Sequence, residues 1–350
     1  MTDYLKLTTY FGERLRSEDR FLADALLDLY GGSAVATSVV LRGIASFGPH
    51  HQLRSDQLLS MSEDPPIAVA AVDTVDVIAP IADEVVAMTS RGLVTLERAR
   101  MSGGSTPDTA KLTVYLGRQD RVAGFPAYRV VCDVLHRHGF AGASVFLGVD
   151  GTQRGQRQRA RFFSRNVDVP VMVIAVGTGS QVGTAIPELE TVLRNPLMTV
   201  ERVQVCKRDG ELLTRPPTLP PTDDDGLALW QKLMIYTSEA TLHDGMPIHR
   251  AIVRQLRELR AASGATVLRG IWGFHGDHAP HGDTFWQLRR RVPVLTVIVD
   301  TPADIHRWFA LVDELTEQTG LVTSEIVPAY RASAGDHRRG GLRLAPRWDD

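Results

Sequence analysis

The sequence predicts an α+β protein in which one strand–helix–strand–strand–helix–strand unit is written three times. Three observations predict it. Four short landmarks recur in one order, at near-constant spacing, in three copies. The stretches between them carry helical stripes of apolar residues. The strands are apolar on both alternations, so each sheet expects cover on both faces. A unit with two helices on one face leaves the other face bare, and three bare faces are most simply covered by one another. The expected architecture is three tandem ferredoxin-like (βαββαβ) domains closed into a pseudo-threefold trimer within one chain.

The elements follow in order. The first strand opens at Lys6-Leu7-Thr8-Thr9-Tyr10, Lys111-Leu112-Thr113-Val114-Tyr115 and Lys232-Leu233-Met234-Ile235-Tyr236. The first helix carries Leu22, Leu26 and Leu29 in repeat 1, and Val131 and Leu135 in repeat 2. In repeat 3 the stripe is Ile248, Ile252, Leu256 and Leu259, at helical spacing. Pro126 and Pro247 suit a first helical turn. The second strand runs into a glycine: Val40-Leu41-Arg42-Gly43-Ile44, Val145-Phe146-Leu147-Gly148-Val149 and Val267-Leu268-Arg269-Gly270-Ile271. A long loop follows, and Pro66, Pro170 and Pro293 open the third strand. The second helix carries Ile78, Ile81 and Val85, then Ile186 and Leu189, then Ile305, Val312 and Leu315. Gly92 and Gly320 read as helix stops. The fourth strand is Leu93-Val94-Thr95-Leu96-Glu97, Leu197-Met198-Thr199-Val200-Glu201 and Leu321-Val322-Thr323-Ser324-Glu325. The repeats occupy 1–101, 110–206 and 227–330. Residues 102–109 and 207–226 read as linkers, and 331–350 as a polar, mobile tail.

Composition narrows the function classes. Apolar residues make up 43% and charged residues 23% of the chain, which excludes a disordered protein. A net charge of −2 argues against nucleic-acid binding as a whole-chain role. Cys132 and Cys206 cannot build a disulfide framework or a four-thiolate zinc site. Apolar runs are too short to span a bilayer and the N-terminus has no signal-peptide core, so the expected location is the cytoplasm. No nucleophile elbow, Walker A, dinucleotide fingerprint or zinc-protease motif occurs, and the expectation is a protein that is not an enzyme.

Repeat 3 reads Gly245-Met246-Pro247 before its first helix and Gly264-Ala265-Thr266-Val267-Leu268-Arg269-Gly270-Ile271-Trp272-Gly273-Phe274 after it. Repeat 1 has Leu41-Arg42-Gly43-Ile44-Ala45-Ser46-Phe47-Gly48, and repeat 2 keeps Gly124-Phe125-Pro126 but has Leu147 in place of the arginine. These residues resemble the PII-like family classed as "domain of unknown function 190" (DUF190). The resemblance implies a trimeric PII-like architecture that senses small molecules, often adenine nucleotides, in clefts between subunits. It also implies a long loop that touches a partner such as a membrane transporter, of the fluoride-exporter type by family analogy. The chain is expected to act as a monomer with the shape of a trimer.

The loops at 45–64, 150–169 and 272–292 hold the candidate sites. Glycine lets backbone N–H groups approach an anion, and arginine adds a two-pronged donor. The ligand-binding candidates are Arg42, Gly43, Phe47, Gly48 and Arg54 in repeat 1, and Arg269, Gly270, Gly273, Phe274 and His281 in repeat 3. The alternative for Arg42 and Arg269 is pairing with carboxylates at a domain interface. The recurrent Lys6, Lys111 and Lys232 are placed at the sheet rim or, alternatively, on a phosphate in the interdomain cleft. The glutamates ending the fourth-strand landmark are expected at the surface. His275, His278, His281 and Asp277 have the donor chemistry for a divalent metal, the second functional reading. The arginines at 154, 157, 159, 161 and 165 read as a solvated loop or as a contact for an acidic partner.

Overall fold

A computed structural model describes residues 3–48, 54–55, 64–101, 107–153, 155–157, 169–259, 263–276, 278–282 and 292–344. Repeat 1 comprises β1 (Asp3–Gly12), α1 (Leu22–Gly32), β2 (Thr37–Phe47), β3 (Pro66–Thr74), α2 (Val75–Met88) and β4 (Arg91–Met101). Repeat 2 comprises β5 (Thr109–Gly117), α3 (Ala127–Arg137), β6 (Gly142–Leu147), β7 (Asp150–Gln153), β8 (Pro170–Thr178), α4 (Gly179–Val192), β9 (Leu197–Arg202) and β10 (Gln204–Arg208). Repeat 3 comprises β11 (Trp230–Ser238), α5 (Ile248–Glu258), β12 (Ala265–Arg269), β13 (Trp272–His275), β14 (Pro293–Asp300), α6 (Pro302–Leu315) and β15 (Leu321–Val327). A hairpin follows, β16 (Ala329–Ala334) and β17 (His337–Gly341).

Each repeat pairs its strands antiparallel in the order second, third, first, fourth. The repeats then share edges. The far half of β2 pairs with β12, β13 pairs with β6, and β7 pairs with the near half of β2. The fourth strands hand over in the same cyclic way. Arg100 and Met101 of β4 reach β9, β10 pairs with β15, and β16 pairs with β4. No repeat keeps a free edge at these positions, which removes a route to aggregation.

The landmark glycines make this crossing possible. A Cβ on Gly43 would lie 2.8 Å from Val267 O and 2.8 Å from the ring of Pro66. On Gly270 it would lie 2.9 Å from Val145 O and 2.7 Å from the ring of Pro293. The glycine and the proline that recur together are in contact, at the point where one repeat's strand passes to the next.

Burial explains why the strands are apolar on both alternations. Three cores lie between helices and sheet, one centred in each repeat. A fourth draws side chains from all three repeats, among them Val39, Leu41, Phe146, Met172, Met234 and Leu295. It covers the sheet residues that a lone unit would expose.

Several expectations are corrected. The tail is not a mobile coil at 331–341; it forms β16 and β17, which seal the edge of β4. Its polarity hides an anchor: the Arg339 guanidinium lies 4.8 Å from the Trp230 ring and 3.4 Å from Asp300. Residues 207–208 belong to β10 rather than to a linker, and Lys207 is buried 2.6 Å from Asp313. Leu259 follows the end of α5 and is 60% exposed, so it does not extend the apolar stripe. Gly92 stands inside β4 at φ +146°, where a Cβ would meet Tyr10 O at 2.4 Å. Its role is the tight entry to that strand rather than a helix stop.

Candidate functional site

The recurrent lysines and glutamates come together in one buried ring. Within each repeat they face each other across the first and fourth strands: Lys6 with Glu97, Lys111 with Glu201, Lys232 with Glu325. Their Nζ–O separations are 3.4, 2.6 and 2.7 Å. Each lysine also reaches the glutamate of the next repeat: Lys6–Glu201 at 3.4 Å, Lys111–Glu325 at 2.6 Å and Lys232–Glu97 at 2.6 Å. The six charges alternate around a closed circuit.

None of the six is more than 6% exposed. This corrects the rim and surface placements. Burial opposes the charge on Glu97, but Lys232, Lys6 and Lys111 outweigh it and hold its pKa well below the carboxylate range. Glu325 is lowered in the same way, by Lys111 and Lys232 against burial. Burial likewise opposes the lysines, and the glutamates outweigh it, so all three titrate above their usual value. Glu97, Glu201 and Glu325 offer oxygens within 4.8 Å of one another, but each is already met by lysine.

A larger opening lies where repeat 1 meets repeat 3. It encloses about 320 Å³, within the range of small-molecule sites. The apolar part of its wall comes from Phe47, Leu93, Val297, Val299 and Tyr330. Its charged side chains are Arg14, Arg54, Arg91 and Asp64, three cations and one anion. Tyr10 lines the cleft as well. Burial and then Glu97 push its hydroxyl up to about 12, so the phenol stays protonated between ring and cleft.

The corresponding opening between repeats 3 and 2 is smaller, about 70 Å³. Among the described residues it presents Tyr236, Ser238, Phe274, His275 and His281 and no arginine. At the third junction the chain bridges itself. Arg157 of repeat 2 contacts Asp24 and Asp28 on α1 and lies 2.7 Å from Asp150. Its hydrogen bond to Asp150, against burial, raises the guanidinium's pKa. Arg157 is therefore an inter-repeat strap, and the solvated-loop expectation is corrected for this residue.

A family model described as "Uncharacterized ACR" matches the chain three times, over 4–101, 109–205 and 230–329. The chain belongs to the DUF190 family. It is 33% identical over 95 residues to a UPF0166 protein of Aquifex aeolicus. That alignment covers 27% of this chain and 88% of the relative. It is 31% identical over 86 residues to the UPF0166 protein MJ1524 of Methanocaldococcus jannaschii, 24% of this chain and 78% of the relative. Each relative is thus matched over most of its length by about one DUF190 repeat.

The residues singled out in this DUF190 chain separate into groups. Phe47, Gly48 and Arg54 line the larger cleft. Gly273, Phe274, His275 and His281 line the smaller one. Arg42 pairs with Glu13 at 2.9 Å and Arg269 with Glu239 at 2.7 Å, equivalent contacts inside repeats 1 and 3. Repeat 2 replaces both partners, with Arg118 and Leu147. Carboxylate pairing is thus what the structure gives these arginines, within a repeat rather than across an interface. Gly43 and Gly270 serve the strand crossings described above, and Lys6, Lys111 and Lys232 the ring. His275 Nε2 lies 2.6 Å from Asp209, and the His281 ring meets Ala279 O at 3.1 Å. His278 is exposed. Asp277 and the arginines at 154, 159, 161 and 165 lie outside the described residues.

Arg14, Asp64, Arg91 and Tyr330 are cleft residues that sequence reasoning missed. Arg14 and Arg91 are far apart in the sequence, and the pairing of β1 with β4, Tyr10 opposite Leu93, brings them to one opening. The recurrent Tyr10 and Tyr236, each lining a cleft, are the signal that was available.

Proposed function

We propose that this chain is a PII-like regulatory protein. In this reading three ferredoxin-like repeats form a pseudo-threefold body, a trimer's arrangement in one chain. A small anionic ligand of the adenine-nucleotide class binds in the cleft between repeats 1 and 3. Its state is relayed through the long loops to a partner, with a membrane transporter as the partner class the resemblance implies.

The observation that carries this reading is the larger cleft. It combines an apolar wall with three guanidinium groups and a single carboxylate in a volume of about 320 Å³. An aromatic base suits the first and a phosphate chain the second. The cyclic strand handover and the lysine–glutamate ring support the pseudo-threefold body, as do relatives matched over about one repeat's length. Divergence supports a single cleft per chain: the second opening is smaller and has no arginine among the described residues, and the third junction is strapped by Arg157.

A thermal-shift series with ATP, ADP, AMP and cyclic AMP, each with and without divalent metal, tests the reading. A nucleotide is expected to raise the melting temperature. In Arg54→Ala the shift falls as the ligand loses a charge-assisted hydrogen bond, about 10–100-fold in affinity. No shift with any nucleotide, or a shift with metal alone, contradicts it.

A further inference from the structure

The anion-binding corner of the larger cleft is already occupied by a carboxylate of the chain itself. Asp64 ends the long loop of repeat 1 and enters the cleft beside Gly12. Its Oδ1 accepts a hydrogen bond from the Arg14 backbone N–H at 2.7 Å. Its Oδ2 lies 3.2 Å from Arg54 Nε. The Asp64 side chain is 29% exposed, so it faces the opening rather than the core. A backbone N–H and a guanidinium converging on one carboxylate also make a receptor for a phosphate oxygen.

Gly12 shapes this corner. A Cβ built on it would lie 2.0 Å from Asp64 Oδ2 and 2.5 Å from its Cγ. The carboxylate fills the space that any side chain at position 12 would take. Gly12 is not in the left-handed region, so backbone conformation does not demand glycine there. Close approach of the anion does. The sequence repeats the pattern: the glycine recurs in repeat 2 as Gly117 with Asp168 two residues before its landmark proline. In repeat 3 both change, to Ser238 and Arg291. Asp168 and Arg291 lie outside the described residues.

We propose that Asp64 is an internal competitor for the ligand's anionic group. It holds the Arg14 amide and the Arg54 guanidinium and leaves them when a phosphate arrives. Displacement releases the Asp64 side chain from Arg14 and Arg54, while the Glu13 N–H bond to the Pro65 carbonyl at 2.9 Å anchors the backbone next to it. Ligand occupancy is thereby read out at the Asp64 side chain, at the entry to β3. Apparent affinity is lowered by the fraction of molecules in which Asp64 holds the corner. The inference rests on the cleft reading above and adds the group that opposes binding.

Calorimetric titration of the full chain with ATP, and separately with inorganic pyrophosphate, tests it in four proteins. Asp64→Ala vacates the corner and is expected to bind both probes about tenfold more tightly than wild type. Asp64→Asn, which keeps the size and loses the charge, is expected to lie between them. Gly12→Ala also evicts the carboxylate but puts a methyl group in the corner, and is expected to lose binding. A merely structural Asp64 gives the opposite order: both Asp64 variants bind more weakly, as Gly12→Ala does. Wild-type binding with no tightening in Asp64→Ala and Asp64→Asn overturns the competition and leaves the cleft reading standing. Absence of binding in all four proteins overturns the cleft reading and this inference with it.

Discussion

Lys111→Met is expected to destabilise the protein by about 3–5 kcal/mol. Lys111 is fully buried and lies 2.6 Å from both Glu201 and Glu325. Methionine fills the volume but leaves two buried carboxylates with one lysine each. The loss comes from uncompensated charge rather than from a missing favourable contact. A buried ion pair contributes little net stability over apolar packing, but half of one is costly. The repeats joined by Lys111 are 2 and 3, so the damage falls on their junction. Urea denaturation of wild type and variant measures the difference. A change below about 1 kcal/mol would mean that the ring is not closed as described.

The pH dependence follows with its sign. Glu97 and Glu325 have folded pKa values below the unfolded ones. Their contribution is present above about pH 4.3 and is lost as pH falls through the depressed values. The lysines have raised folded values, so theirs is present below about pH 10.4 and is lost as pH rises through them. The gap in stability between wild type and Lys111→Met should be flat across that window. It should narrow in strong acid, where the orphaned glutamates protonate.

Tyr330→Ala is the second large effect, again about 3–5 kcal/mol, the range for removing a buried aromatic side chain. Tyr330 is 2% exposed and stacks on Trp230 with ring centroids 3.8 Å apart and planes 15° from parallel. It sits in β16 opposite Thr95 of β4, so its loss loosens the strand that closes repeat 3 onto repeat 1. It also lines the larger cleft. The variant should therefore lose stability and, with it, the nucleotide-induced thermal shift proposed above, whereas Tyr330→Phe keeps most of each. Wild-type stability in Tyr330→Ala would show that the hairpin at 329–341 is not part of the body.

The unit and its threefold recurrence are legible in the sequence because period and landmarks are local. The purposes of the landmarks are not. Lys6 and Glu201 are 195 residues apart in the chain, and Lys111 and Glu325 are 214 apart. Read one repeat at a time, each is a lone charge in a strand, and lone charges are usually solvated. The ring exists only after all three repeats dock. Arg42 and Arg269 show the converse: the sequence marks them as recurrent, and their partners Glu13 and Glu239 lie at equivalent places in the same repeat. Arg54 is legible from its place in the long loop. Arg14, Arg91 and Asp64 are not, because they belong to three different segments that meet at one sheet end. The tail reads as solvated in the sequence because of its arginines, while Arg339 lies over the Trp230 ring.

The proposed function implies that divergence of the three repeats leaves one ligand cleft per chain, between repeats 1 and 3. Calorimetric titration with ATP measures this directly through its stoichiometry. One equivalent per chain is expected, with the heat abolished or strongly weakened in Arg54→Ala. Three equal equivalents per chain, or binding that Arg54→Ala leaves unchanged, would contradict it.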